Sequence, residues 1–138
     1  MVPSYRLFAA LHNSHRWQKF YYPQYFAEQI SWGAIGARTV ESQVHRELAS
    51  GLSASIGFKN ATNGDTQVAV DAIKSATYSH HFLSTTKSGS TAIFETKGNQ
   101  NGHVILRGGA SGTNFGKSHV DDCIAKLKKA GIDTKVMI

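Results

Sequence analysis

The sequence predicts an α/β fold built on a parallel β-sheet. Three features carry that expectation. Short β-like runs alternate with helix-like stretches from Tyr22 to the end of the chain. Three of those runs end on a basic residue: Ala34-Ile35-Gly36-Ala37 leads to Arg38, Ser55-Ile56-Gly57-Phe58 to Lys59, and His103-Val104-Ile105-Leu106 to Arg107. A helix-like stretch follows each of them, and a parallel sheet presents its strand ends and the loops after them to a ligand. Cations converging from such ends hold a doubly charged phosphate or a carboxylate, and arginine adds bidentate geometry.

The elements follow in order. Residues 1–20 stand apart as a leader. Phe8, Ala9, Ala10 and Leu11 make a brief apolar cluster, and His12 to Phe20 mixes basic and aromatic residues without a period, so the leader is read as irregular or weakly helical. Residues 21–138 form the α/β part. Pro23 suits a first helical turn, with Tyr25, Phe26, Ile30 and Trp32 as its apolar face and Gly33 as its end. A strand over 34–38 comes next. Thr39 is the first N-cap candidate of the following helix and Ser42 the second. That helix carries Val44, Leu48 and Leu52 at four-residue spacing and stops at Gly51–Ser53.

Strand 55–59 leads into a turn over Asn60–Gly64, and Val68, Val70, Ala72 and Ile73 sit in the next helix. A strand over 81–85 follows. Thr91 to Gly98 is rich in β-formers and Lys97-Gly98-Asn99 supplies a turn, which predicts a small β-hairpin. Strand 103–107 runs into Gly108-Gly109. The helix from Ser118 to Ala130 shows Val120, Cys123, Ile124 and Leu127 on one face, gathers lysines in its last turn, and ends at Gly131. Lys135-Val136-Met137-Ile138 begins another strand.

Composition narrows the function. With 138 residues and 41% hydrophobic content, the chain is long enough for one core. The formal charge of +6 favours anionic partners: nucleic acid, acidic membranes or phosphorylated metabolites. Basic and aromatic residues mix in one short stretch only, so nucleic acid is not the expected partner. No apolar run approaches the roughly 18 residues of a membrane span. Met1 to Ala10 holds no convincing signal segment. The single cysteine, Cys123, excludes an intrachain disulfide and suits a reducing, cytoplasmic setting; its spacing makes it a helix-face residue.

Longer stretches carry a resemblance. Ser31-Trp32-Gly33-Ala34-Ile35-Gly36-Ala37-Arg38-Thr39 runs into Glu41-Ser42-Gln43-Val44-His45-Arg46-Glu47-Leu48-Ala49-Ser50-Gly51-Leu52-Ser53, followed by Gly57-Phe58-Lys59-Asn60 and Ile105-Leu106-Arg107-Gly108-Gly109. From Pro23 to Ile138 the chain closely resembles the class I 3-deoxy-7-phosphoheptulonate (DAHP) synthases of microbes and fungi. Gly112-Thr113-Asn114-Phe115 and the pair His80-His81 look most like fungal members.

The resemblance implies a (β/α)₈ barrel with additions, about half of it present here. It implies condensation of phosphoenolpyruvate with erythrose 4-phosphate, with release of phosphate, at the entry to the shikimate pathway. A divalent metal (Mn²⁺, Fe²⁺ or Co²⁺) would assist by polarising the aldehyde. The family's phosphoenolpyruvate contacts fall on Arg38, Lys59 and Arg107, with the backbone at Ala37 in the same pocket and Lys59 as the catalytic candidate. Arg38 and Arg107 would neutralise the phosphate, and Lys59 would pair with the carboxylate or the bridging region, fixing the enol for attack. Feedback by an aromatic amino acid is implied too, through a pocket drawing on Leu48, Leu52, Ser53, Phe82 and Ser84. A serine at Ser84 resembles the phenylalanine-sensitive type.

The chain also departs from the family's pattern. Members run well over twice this length. Their metal ligands are a Cys upstream of this region, a His after the strand that begins at Val136, and acidic residues further on. No metal ligand is therefore expected within the chain, and no turnover from it alone. Cys123 lies on a different helix from the family's cysteine. Arg16 falls where the family has a Glu, and Val40, Ala61 and Asn63 replace Thr, Gly and Asp. His45, His80 and His81 are read as structural or surface residues. An open half barrel would expose two sheet edges and an apolar inner face, which predicts self-association or aggregation. Two alternatives compete with the enzyme: a nonenzymatic phosphate- or partner-binding remnant of the barrel, and a basic nucleic-acid binder driven by charge alone.

Overall fold

The structure is a computed structural model, and it describes residues 7–11 and 30–138. Its strands are β1 (Leu7–Leu11), β2 (Ile30–Ile35), β3 (Ser55–Lys59), β4 (His81–Thr85), β5 (Thr91–Glu95), β6 (Gly102–Ile105) and β7 (Val136–Met137). Its helices are α1 (Gln43–Ser50), α2 (Gln67–Thr77) and α3 (Lys117–Lys129). Five strands pair in parallel in the order β1-β2-β3-β6-β7, while β4 and β5 form a separate antiparallel hairpin. The predicted α/β class and parallel sheet are both present.

Strand alternation divides the sheet into two faces. Ile35, Ile56, Phe58, Val104 and Leu106 pack in one buried cluster with Val40, Ala49, Val70, Ile73, Cys123 and Leu127, so this face lies under the helices. Each fully buried side chain of this size contributes about 1.5–3 kcal/mol. The opposite face carries Trp32, Ser55, Gly57, Lys59, His103 and Ile105. Gly57 leaves room there: a Cβ would stand 2.4 Å from Ile105 Cδ1 and 2.9 Å from His103 Nε2, so those side chains would have to shift.

Several boundaries differ from the sequence expectation. Leu7–Leu11, expected to be irregular or weakly helical, is a strand paired with β2. Ile30 and Trp32, expected on a helix face, lie in β2, and Gly33 sits inside the strand rather than ending a helix. Pairing on both sides and the β-preference of Ile and Trp override the helical spacing. Tyr25 and Phe26 lie outside the described residues. Strand β2 stops at Ile35, because the Thr39 and Val40 N–H groups both donate to Gly36 O, at 3.0 and 2.9 Å, and turn the chain.

Thr39 Oγ1 donates to the same carbonyl at 3.1 Å instead of capping α1. Ser42 takes the N-cap position, with its hydroxyl 2.8 Å from His45 Nδ1. Helix α1 buries His45 and Ala49, whereas Val44 is 53% exposed. The hairpin is present but turns at 86–90, closed by Thr86 N–H to Ser90 O at 2.8 Å, rather than at Lys97-Gly98-Asn99. Strand β6 covers 102–105 rather than 103–107. Helix α3 ends as predicted: Gly131 has φ +72°, its N–H donates to Lys128 O, and Ile132 N–H donates to Leu127 O. Among the described residues no helix is long and apolar enough to cross a membrane.

Candidate functional site

Strands β2, β3 and β6 are neighbours, so the residues that follow them share one rim of the sheet. Ile35 pairs with Phe58, and Lys59 pairs with Ile105. Lys59 is the last residue of β3, Arg107 follows β6 by two residues, and Arg38 follows β2 by three, within the turn over 37–41. Arg38 and Arg107 are exposed, while Ala37 and Lys59 are half-buried. Alternation directs Lys59 to the face away from the helices.

Two of the cations are electrostatically joined. Partial burial, chiefly, and the nearby Arg107 guanidinium, second, hold the Lys59 amine below its ordinary pKa. Like charges brought together in this way are relieved by an anion placed between them. Arg38 lies in the turn that follows the adjoining strand β2.

The rim is tied together by two asparagines that the sequence reading did not single out as site residues. Asn60 is fully buried. Its Oδ1 accepts the Arg107 N–H at 2.9 Å and Asn114 Nδ2 at 3.2 Å. Its Nδ2 donates to Gly108 O and Ala61 O, each at 2.8 Å. Asn114 Oδ1 accepts the Gly108 N–H at 2.7 Å. Gly108 has φ +78°, a left-handed conformation that suits glycine. Gly109 lies so close to Gly64 that a Cβ would come within 2.4 Å of Gly64 Cα. The one available signal was an amide side chain placed directly after a strand end, where backbone groups need partners.

The residues expected to form an effector pocket lie on α1 (Leu48), just after it (Leu52 and Ser53) and on the hairpin (Phe82 and Ser84). Leu48 and Leu52 are half-buried, Ser53 is exposed, and Phe82 and Ser84 are half-buried on β4. Phe82 stacks on Phe94 of β5 with centroids 6.4 Å apart. The end of α1 is fixed to the hairpin base, since Ser50 Oγ lies 2.7 Å from Thr96 Oγ1 and the His80 N–H donates to Thr96 Oγ1 at 2.9 Å.

Among the described residues no three His, Cys, Asp or Glu side chains come together. They therefore do not fit a divalent metal. Cys123 is buried in the core, and burial is the main cause that raises its thiol pKa. His45 bonds Ser42, His80 Nε2 donates to Ser75 O at 2.9 Å, and His81 lies 3.6 Å from Glu95 at the surface.

A family model described as the DAHP synthetase I family matches residues 19–138. The chain is 58% identical over 116 residues to the phospho-2-dehydro-3-deoxyheptonate aldolase of Haemophilus influenzae, covering 84% of this chain and 32% of that one. It is 57% identical over 110 residues to the phenylalanine-inhibited phospho-2-dehydro-3-deoxyheptonate aldolase of Saccharomyces cerevisiae, covering 80% of this chain and 30% of that one. Among solved structures, phospho-2-dehydro-3-deoxyheptonate aldolase from Francisella tularensis SCHU S4 superposes with a TM-score of 0.81 at 90% identity, over 84% of this chain and 34% of that chain. The chain thus spans about a third of the length of the curated relatives it matches. Identity with the Francisella chain exceeds that with the yeast chain, so the fungal likeness seen at 112–115 and His80-His81 does not extend over the whole sequence.

Proposed function

The chain belongs to the DAHP synthetase I family, and on that basis we propose that its rim is the phosphoenolpyruvate-binding side of a 3-deoxy-7-phosphoheptulonate synthase. Its parallel sheet is a segment of the (β/α)₈ barrel of that family. The reaction is the condensation of phosphoenolpyruvate with erythrose 4-phosphate. The carrying observation is Lys59 beside Arg107 on neighbouring strand ends, at a lowered amine pKa. In this reading Arg38 and Arg107 neutralise the substrate phosphate. Lys59 pairs with the carboxylate or the bridging region and is the catalytic residue. Ala37 contributes backbone to the same pocket.

Phenylalanine is the proposed effector, acting through Leu48, Leu52, Ser53, Phe82 and Ser84. The names of the phenylalanine-inhibited yeast relative and the Phe-sensitive Escherichia coli relative support this. A cytoplasmic setting accords with the one cysteine being a buried free thiol.

Titration calorimetry with phosphoenolpyruvate tests the reading. The chain binds it more tightly than inorganic phosphate, and Arg107→Ala weakens binding roughly tenfold or more, the scale of one charged hydrogen bond. Equal affinity for the two anions would overturn the substrate assignment. Turnover with erythrose 4-phosphate and Mn²⁺ then separates an enzyme from a binding remnant.

A further inference from the structure

We propose that Asn60 and Asn114 are positioning residues, which fix the backbone of Arg107 and Gly108 so that the Arg107 guanidinium is delivered beside Lys59. The consequence for substrate affinity rests on the phosphoenolpyruvate reading above; the geometry does not.

Two consecutive backbone N–H groups, those of Arg107 and Gly108, are taken by two different asparagines. The same asparagines bond each other at 3.2 Å, so the two captures form one unit. Asn60 lies 47 residues from Arg107 in sequence and 54 from Asn114, so the unit joins the end of β3 to the distant loop over 107–114. The Asn60 side chain makes four hydrogen bonds, two donated and two accepted, which accounts for each amide hydrogen and both oxygen lone pairs. A buried amide so completely paired has one orientation. Aspartate would lack the two donors and would set a negative charge beneath the cations. A neutral clasp holds the loop against the repulsion between Lys59 and Arg107 while leaving the rim positive. Gly109 of the same loop packs closely on Gly64, in the turn that begins at Asn60.

The test replaces Asn114 with alanine in the intact protein and follows the Lys59 titration by ¹³Cε NMR. Exchange of the Gly108 amide and binding of phosphoenolpyruvate are measured on the same samples. In Asn114→Ala the Lys59 pKa moves up toward its ordinary value, Gly108 exchange accelerates roughly tenfold, and affinity falls roughly tenfold. Gly109→Ala displaces the same loop with both asparagines intact; it gives the same rise at Lys59 and carries the test if Asn114→Ala does not fold. The proposal is overturned if Lys59 titrates unchanged in the folded variants while Arg107→Ala raises it. If Lys59 responds as expected but the unsubstituted protein binds no phosphoenolpyruvate, the clasp stands and the substrate reading falls.

Discussion

Trp32 Nε1 donates a hydrogen bond to His103 Nε2 at 3.2 Å, although the strand β3 lies between the two strands that carry them. The rings are 6.1 Å apart and tilted by 34°. The bond crosses the backbone of Gly57, the one position on that face of β3 where the absence of a side chain makes room. Accepting at Nε2 places the histidine proton on Nδ1, which faces Ser55 Oγ at 3.3 Å. Ser55 in turn donates to Asn101 O at 2.9 Å. A chain of polar contacts therefore spans β2, β3 and β6, the same strands whose ends carry Arg38, Lys59 and Arg107.

Gly57→Ala should break this bridge. The new Cβ would meet Ile105 Cδ1 at 2.4 Å and His103 Nε2 at 2.9 Å. Overpacking of this kind costs about 1–3 kcal/mol. Urea denaturation measures the loss, and tryptophan emission reports release of Trp32. An unchanged midpoint would show that this face accommodates a methyl group.

Acid should weaken the fold through His103. Burial lowers its pKa below 6.5, partly opposed by its bond to the Asn101 backbone. The unfolded chain then takes up the proton first. Stability is full above about pH 6.5 and falls as the pH drops through the folded value. Burial shifts His45 in the same direction. Urea midpoints between pH 7.5 and 5 should fall, and His103→Gln should flatten the slope. A slope unaffected by that substitution would assign the effect to other groups.

Asn60→Ala should destabilise the protein by about 2–3 kcal/mol, because it strands the Arg107 N–H and the Gly108 carbonyl. Chemical denaturation measures this. A loss within about 0.5 kcal/mol, the range of an ordinary surface change, would mean that water replaces the amide.

Arg107→Ala should raise the Lys59 pKa by removing the like charge, leaving only burial to lower it. NMR titration of the lysine reads it directly. No movement would show the two charges to be too far apart to share a ligand.

What the sequence made legible follows from range. β3 and its terminal Lys59 could be read because a short strand-like run, Ser55-Ile56-Gly57-Phe58-Lys59, followed by a turn signal is a local pattern. The end of α3 was legible for the same reason: lysines and Gly131 act within one turn. β2 was misread because Ile30 and Trp32 suit either period, and only pairing with β1 and β3 decides between them. The hairpin turn was misplaced because Gly89 and Gly98 both adopt positive φ, and β4–β5 pairing selects the first. Asn60 and Asn114 could not be seen as a pair, since 54 residues separate them and their bond exists only in the folded chain.

The central claim is that Arg38, Lys59 and Arg107 grip one anion. It is tested most directly by following the Lys59 Cε and the Arg38 and Arg107 Nε resonances as phosphoenolpyruvate is added. The account predicts that all three move along a single saturation curve. A shift at Lys59 and Arg107 with Arg38 unmoved, or three curves with different midpoints, would contradict it.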